Sequence, residues 1–180
     1  MGLSRRIRRK YETPNHPWQA ERLEEEGKLV KEYGLTNKKQ IWKMLSFLRK
    51  FRSQARGIVS LRDEKKEQAR QILIGKLSRA GLLEKKSTMG DVFNLSIRDI
   101  LERRLQTIVY KMGFANSVKQ ARQFVLHRKV LVNDKIISSP SYFIKVGDKV
   151  SFREGFTPNI AETITEKPTK ENKKVEVATE

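Results

Sequence analysis

Apolar residues recur every three to four positions over much of the chain, which is the spacing of amphipathic helices. The first predicted helix has Pro17 in its first turn, where a missing N–H costs nothing, and it ends at Gly34. Asn37 is the predicted N-cap of a second helix, with Gln40 three residues later as a weak capping box. The apolar stripe of this second helix consists of Ile41, Leu45, Leu48, Phe51 and Ala55.

Two further helices are predicted by the same spacing. The third runs from about Asp63 to Ala80, and the glycine that follows is its C-terminal cap. Its apolar side consists of Ala69, Ile72, Leu73, Leu77 and Ala80. Ser96 and Asp99 form a capping box that begins the fourth helix, and Gly113 ends it. The buried stripe of the fourth helix consists of Leu101, Leu105, Ile108, Val109 and Met112.

A fifth helix and four short strands are predicted after Gly113. Ser117 and Gln120 form the predicted capping box of this helix, and its inward side consists of Val118, Ala121, Phe124 and Val125. The strands are residues 130–132, 135–137, 143–146 and 149–152. Asn133-Asp134 predicts a tight hairpin between the first two strands, and Gly147-Asp148 predicts a second turn between the last two.

These elements predict an α+β fold, with a mainly helical N-terminal region and a small domain of two helices and a short antiparallel sheet. We place the boundaries at changes in composition. The chain then consists of a basic N-terminal arm at 1–15, a helical region at 16–95, the two-helix domain at 96–153 and a flexible acidic tail at 154–180.

The charge of the chain favours a polyanionic partner. The formal net charge is +18 over 180 residues, and neutralising phosphates with such a field releases condensed counterions. Residues 1–60 carry a net +9 and residues 101–153 a net +8, whereas residues 154–180 carry −2. Lys and Arg that merely solvate a surface are the weaker alternative at this net charge. We therefore predict that the two basic regions bind RNA.

Composition also excludes several classes of site and of location. The chain has no cysteine, which excludes disulfides and zinc–thiolate sites, and we expect no metal and no other cofactor. No apolar run approaches the roughly 18 residues that span a bilayer, and no apolar segment follows the basic N-terminal residues as in a secretory signal. We expect a soluble intracellular protein with no membrane partner.

The basic arm and the predicted helices offer three sets of candidate RNA-binding cations. An arm that cannot bury enough apolar surface to fold alone can order along phosphates, although it could also be a solubilising tail. Its cations are Arg5, Arg6, Arg8, Arg9 and Lys10. On the second helix, Arg49, Arg52 and Arg56 fall outside the apolar stripe. The last two helices offer the cations Arg103, Arg104, Lys111, Lys119, Arg122, Arg128 and Lys129, together with the polar side chains Gln123 and His127.

Residues just after the arm add two ring side chains. Trp18 and His16 could stack on bases. An amphipathic tryptophan is more often a packing anchor, and we therefore predict that Trp18 packs and leave His16 open.

Residues 101–150 resemble the RNA-binding domain first defined in ribosomal small-subunit protein four. The resemblance rests on an Arg-Leu helix end, Gly-Phe-Ala, Ala-Arg-Gln, Val-x-His, Val-x-Val-Asn, Pro-Ser-Tyr and Gly-Asp, in that order. Several unrelated enzymes contain this domain, so it identifies an RNA-binding surface. The segment RRKYETPNHPWQAERLEEE, then Trp42 and the run LRKFRSQAR, resemble the archaeal and eukaryotic branch of the same ribosomal protein family. Bacterial members often carry a four-cysteine zinc site, which this chain lacks.

The family resemblance implies a structural protein of the small ribosomal subunit, in the cytoplasm, that binds ribosomal RNA early in assembly. It also implies neighbouring small-subunit proteins as partners, a position near the side where messenger RNA enters, and a contribution to translational accuracy. No small-molecule substrate is implied. The RNA-facing residues carried over by position are Arg103, Arg104, Lys111, Ser117, Lys119, Arg122, Gln123, His127, Lys129 and Asn133.

Some of these residues have equally simple structural interpretations. His127 could cap or pack near a helix end, where imidazole also interacts well with the helix dipole. Asn133 could be only a turn former. Arg122 is more specific, because it lies between apolar Ala121 and Phe124 and its direction is therefore set by packing.

Two other functions compete with a ribosomal protein. An assembly factor of the same family would leave the mature particle. An RNA-modifying enzyme, such as a pseudouridine synthase or a tRNA ligase, would need a catalytic domain. Residues 1–95 are helical and basic, without a glycine-rich phosphate loop or a compact acidic cluster, so we predict that the chain is not an enzyme.

Overall fold

The computed structural model describes residue 9, residues 11–84 and residues 86–156, except for the side chains of Asp63 and Glu64. The helices in these ranges are α1 Ala20–Glu32, α2 Lys38–Val59, α3 Asp63–Arg79, α4 Met89–Asn94, α5 Ile97–Glu102, α6 Leu105–Lys111 and α7 Val118–Leu126. The strands are β1 Val130–Val132, β2 Lys135–Ile136 and β3 Val150–Phe152, in the order β2-β1-β3. Seven helices with one small antiparallel sheet, within this described part, confirm the α+β fold.

The helix ends that local side chains determine are where the sequence predicts them. Asn37 accepts the Lys39 N–H at 3.0 Å at the start of α2, and Ser96 and Asp99 form the capping box of α5. Gly34 and Gly113 have φ of +55° and +77°, the left-handed conformation in which helices commonly end at glycine.

The start of α1 and the predicted capping box of α2 differ from the prediction. Pro17 precedes α1, which begins at Ala20, and the Pro17 carbonyl accepts a hydrogen bond from Arg22. Gln40 does not complete a capping box, because its amide donates to the Thr36 hydroxyl at 2.9 Å. Trp18 is 89% exposed, so the prediction that it packs is wrong.

The predicted fourth helix is interrupted at Arg103 and Arg104. A later stretch of chain takes over the backbone hydrogen bonds there: the Leu105 N–H donates to the Tyr142 carbonyl at 2.8 Å, and the Ile144 N–H donates to the Arg103 carbonyl at 3.0 Å. The apolar stripe therefore divides between α5 and α6, and Met112 at its end is exposed.

The first predicted hairpin is confirmed and the second is wrong. Leu131 pairs with Ile136 across a two-residue turn, in which Asn133 and Asp134 have φ of +49° and +63°. Two positive φ values define the type I′ turn, which matches the twist of hairpin strands. Residues 143–146 form no strand, because they bond the α5–α6 junction, and β3 instead pairs antiparallel with β1.

Residues 84–95, for which the sequence pattern predicts no helix or strand, contain α4. Thr88 and Asp91 form its capping box, and the Thr88 N–H donates to the Asp91 carboxylate at 2.7 Å. Val92 in α4 and Leu95 after it are buried against α2 and α3. Arg52 of α2 fixes this segment by donating to the Leu95 carbonyl at 2.8 Å.

Three clusters of buried side chains make up the core. One lies within the C-terminal domain, and it includes Leu105, Val109, Ala121, Val125 and Val130. The other two lie among the N-terminal helices, where α5 contributes Ile100 to one cluster and Leu101 to the other. Since α6 follows α5 after two residues, the junction connects all three clusters.

Gln106 connects the C-terminal domain to the end of α1. It is 1% exposed, and its amide nitrogen donates to the carbonyls of Tyr33, Gly34 and Val118 at 3.4, 3.2 and 3.1 Å. The Tyr33 contact is buried, and losing a donor to a buried carbonyl is costly. Gln106 therefore joins the start of α7, at Val118, to the end of α1.

Candidate nucleic-acid interface

The outer side of α7 presents a row of polar side chains. Arg122 and Gln123 follow Lys119 by three and four residues, which puts all three on one side of the helix. Ala121 and Val125, on the opposite side, are fully buried. Because Ala121 and Val125 hold the apolar side in the core, the half-buried Arg122 lies at the edge of the exposed side of the helix.

The end of α7 extends this row with three more cationic or ring side chains. His127 is the exposed C-cap of the helix, and Arg128 has a φ of +58°, an uncommon conformation for a residue other than glycine. The ammonium of Lys129 lies 5.2 Å from the ring centre of Phe156, a cation–π contact. We call the row formed by Lys119, Arg122, Gln123, His127, Arg128 and Lys129 the α7 face.

The charges of the α7 face have no acidic partners nearby. Lys119, Arg122, Arg128 and Lys129 form no ion pair with a carboxylate of the described residues. Ser117 caps α7 by accepting the Gln120 N–H at 3.2 Å, and its hydroxyl proton remains available as a donor. The α7 face therefore carries four positive charges that no acidic group within that part of the chain offsets.

Arg104 lies beneath this face and not on it. It is 1% exposed, and one of its terminal nitrogens donates to the Gln40 side-chain oxygen at 3.0 Å. Burial, and secondarily the charge of Arg122, lower the pKa of Arg104 to about 10, which leaves it cationic at neutral pH. Its Nε and Nη1 have no hydrogen-bond partner among the described residues. The outward position that the sequence predicts for Arg104 is therefore wrong.

Arg103 and Lys111 are in a different setting from the α7 face. The Arg103 Nε donates to the Gly81 carbonyl at 2.8 Å, and its guanidinium lies across that glycine. Lys111 forms an ion pair with Glu102 at 3.1 Å. Both residues line a cleft of about 330 Å³ together with Asp99, so acids partly neutralise this region.

Asn133 has a structural role, because both the nitrogen and the oxygen of its side-chain amide form hydrogen bonds within the protein. Its Nδ2 donates to the Asp148 carboxylate at 2.8 Å and its Oδ1 accepts the Lys149 N–H at 3.0 Å. The Asn133 hydrogen bond is the largest cause that lowers the pKa of Asp148, followed by a hydrogen bond from the Lys145 N–H. Asn133 thus connects the hairpin turn to the turn at 145–148.

The cations of α2 and of the arm are only partly accessible. Arg56 is exposed, Arg49 forms an ion pair with Glu12, and Arg52 is occupied by the Leu95 carbonyl. Arg9 is described and exposed. The other predicted cations of the arm, Arg5, Arg6, Arg8 and Lys10, lie outside the described residues.

Arg153 is an exposed cation beside the α7 face that the sequence reading did not include. Its N–H donates to the Lys129 carbonyl at 2.9 Å, because β3 pairs with β1. The pairing predicted from the sequence put β3 against residues 143–146, which would have placed Arg153 elsewhere. Arg153 could have been predicted as a candidate only if the pairing of β3 with β1 had been known.

Two absences apply to the described part of the chain. None of its helices has the length and apolar character needed to cross a membrane. It also contains no group of three or more His, Asp or Glu side chains placed to hold a metal ion.

Comparison with known proteins adds a family match and several relatives. The S4 domain family model matches residues 103–150. The chain is 44% identical over 154 residues to the small ribosomal subunit protein uS4 of Methanothermobacter thermautotrophicus, which covers 84% of this chain and 90% of that protein. It is 49% identical over 145 residues to uS4 of Methanococcus aeolicus, covering 80% and 82%. For uS4 of Saccharolobus solfataricus the identity is 45% over 150 residues, covering 83% of each chain.

Proposed function

Since the chain belongs to the uS4 family of small ribosomal subunit proteins, we propose that it binds small-subunit ribosomal RNA directly through the α7 face. Membership makes it a structural ribosomal protein and not an enzyme. The S4 domain match spans the whole of α6, α7 and the first hairpin, and so it includes every residue of the α7 face.

The observation that carries this proposal is the set of unpaired charges on α7 and after it. Cations that no carboxylate neutralises can release counterions from phosphates, which is the main source of affinity for nucleic acid. The Arg122 guanidinium can bind two phosphate oxygens at once, whereas Lys119 and Lys129 act as point charges. Gln123 and the Ser117 hydroxyl can reach phosphate or 2′-OH groups, which suits RNA that is recognised by its shape.

Arg104 supports the α7 face from below. The charge of Arg122 is the smaller of the two causes that lower the pKa of Arg104, so the two guanidiniums are close enough for their positive charges to interact. The hydrogen bond to Gln40 keeps the Arg104 guanidinium in place. We therefore assign Arg104 a positioning role within the protein. Arg122 is the residue that contacts the phosphate.

The family resemblance supports further parts of the proposal. We infer that the protein acts in the cytoplasm as a resident of the small subunit, beside other ribosomal proteins, and that it binds early near a multi-helix junction of the RNA. A place near the side where messenger RNA enters, with an effect on accuracy, belongs to the same inference.

The salt dependence of RNA binding tests the α7 face. Changing Lys119 and Arg122 to Ala should weaken binding to archaeal small-subunit ribosomal RNA and flatten the plot of log K against log salt concentration by about one unit per lost phosphate contact. Changing Lys28 and Lys31 to Ala is the matched control, because both are exposed on α1 and the same two charges are lost. Equal slopes for the two double variants would refute the proposal.

Sedimentation separates a resident protein from an assembly factor. A resident component should migrate with translating ribosomes in stoichiometric amount. Recovery on precursor particles alone would show that the chain leaves the mature subunit.

A further inference from the structure

We propose that Trp18 stacks on an unpaired base of the RNA, and that the cleft next to it receives the adjoining phosphate. This site lies in the loop before α1, outside the matched S4 domain. The inference rests on the proposed function, since it requires that the chain bind RNA at all. It adds a second RNA-binding site besides the α7 face, and it names the ligand of that site as a nucleotide that is not in a double helix.

Trp18 is the most exposed large apolar side chain among the described residues. At 89% exposure it contributes almost nothing to the core, while the other tryptophan, Trp42, is half-buried and donates to Glu26 at 3.0 Å. An indole left in water keeps a large apolar surface hydrated, and aromatic rings of this kind are typical contact residues for partners.

The loop that carries Trp18 is held in place without using the indole. Arg22 donates to the His16 carbonyl at 2.7 Å and to the Pro17 carbonyl at 2.9 Å, and its other terminal nitrogen donates to Glu26 at 2.9 Å. Pro17 also restricts φ directly before Trp18. The ring is therefore presented by a fixed backbone, which reduces the entropy that binding must overcome.

A cleft of about 720 Å³ adjoins this loop, and His16 and Gln19, on either side of Trp18 in the sequence, both line it. Three arginines line it too: Arg9, Arg22 and Arg49. Arg22 and Arg49 form ion pairs with Glu26 and Glu12, whereas Arg9 pairs with no carboxylate within the described part of the chain. The cleft is large enough for a nucleotide, whose phosphate would be near Arg9.

Charge favours RNA over a protein as the occupant. Residues 1–60 carry 15 Lys and Arg against 6 Asp and Glu, and five of these cations precede Tyr11. An aromatic ring beside arginines is the usual arrangement for single-stranded nucleic acid, because bases stack on the ring and phosphates meet the cations. Glu12 is the one acid among the described residues that line the cleft, and it is paired with Arg49.

Two variants of the full chain, Trp18→Ala and Trp18→Phe, test this proposal. Their affinity is measured for archaeal small-subunit ribosomal RNA. Loss of one stacked base should weaken binding roughly 5- to 150-fold for Trp18→Ala, and Trp18→Phe should restore most of the affinity. The salt slope should stay that of the parent chain, because stacking releases no counterions. RNA should also quench the fluorescence of the parent chain more than that of Trp18→Ala. Ile72→Ala, at an exposed apolar residue on α3, is the matched control.

Each result decides the proposal. If Trp18→Ala binds as tightly as the parent chain while Lys119→Ala with Arg122→Ala binds weakly, stacking is refuted and the proposed function stands. If Trp18→Ala binds isolated RNA normally but enters the subunit poorly, the ring meets a protein and the proposal fails. A lowered melting temperature in both Trp18 variants would show a packing role. A parent chain without specific RNA binding would refute the proposed function itself.

Discussion

Exchanging Gln106 for Glu should destabilise the protein far more than its small change in shape suggests. The Gln106 amide nitrogen faces three carbonyl oxygens at 3.1 to 3.4 Å and is buried. Gln106→Met removes this donor from the Tyr33 and Gly34 carbonyls, which costs about 1–3 kcal/mol. Gln106→Glu puts a carboxylate oxygen against them and leaves a buried charge uncompensated, which costs about 3–5 kcal/mol. At about 2–4 °C per kcal/mol for a chain of this size, the melting temperature falls by about 6–20 °C.

Gln120→Glu is the matched control for this substitution. Gln120 uses its side-chain oxygen, which accepts the Asn116 N–H at 2.7 Å, so a carboxylate preserves the contact. It is also in the first turn of α7, where the helix dipole favours a negative charge by about 0.3–1 kcal/mol. Gln120→Glu should therefore be neutral or slightly stabilising.

Thermal unfolding followed by circular dichroism between pH 4 and 7 measures these effects. Above the ordinary Glu pKa of about 4.3, the carboxyl introduced at position 106 is charged in the unfolded chain, and its pKa in the folded protein is raised. The part of the loss that the charge causes is therefore absent well below pH 4.3 and develops as the pH rises towards the folded pKa, whereas the part caused by the missing amide donor remains at every pH. The loss in Gln106→Met should not change with pH. If Gln106→Glu and Gln120→Glu have the same melting temperature at pH 7, the contacts assigned to Gln106 are wrong.

Three further predictions concern backbone strain, a local pKa and the arm. Gly81→Ala and Gly113→Ala both place an alanine at a positive φ, which lowers the free energy of unfolding by about 1–2 kcal/mol each. In urea unfolding, Gly81→Ala should lose about 0.5–1.5 kcal/mol more, because its Cβ displaces the hydrogen-bonded Arg103 guanidinium. Equal losses in the two variants would contradict this prediction. Asn133→Ala should raise the pKa of Asp148 in an NMR titration, and its stability deficit should shrink in acid, since a lowered carboxyl pKa stabilises only above that pKa; an unchanged pKa would exclude the contact. Deleting residues 1–10 should weaken RNA binding in a filter assay without lowering the melting temperature, and a lower melting temperature would show that the arm packs.

Local chemistry explains which features could be predicted from the sequence. Ser96, Ser117 and Gly34 determine helix ends through contacts within a few residues, and those ends are where the sequence predicts them. The type I′ turn at Asn133-Asp134 is equally local.

Contacts between distant residues explain what could not be predicted. The burial of Arg104 depends on Gln40, 64 residues away, and the break before α6 depends on Tyr142. Helical periodicity alone put Arg104 outside the apolar stripe, where a solvent-facing cation is the simpler interpretation. The strands β1 and β3 are also far apart in the sequence, so their pairing could not be predicted from local patterns. The position of Arg153 depends on that pairing.

The junction at Arg103 and Arg104 limits how the S4 domain of this protein can be transplanted. The family match begins at residue 103, yet Arg103 binds the Gly81 carbonyl and Arg104 binds Gln40, both outside the match. A fragment cut at residue 103 would expose both guanidiniums and part of the Gln106 amide to water. In this chain the domain is therefore joined to the N-terminal helices by side-chain contacts that begin at its first two residues. An engineered fusion should therefore begin no later than α1.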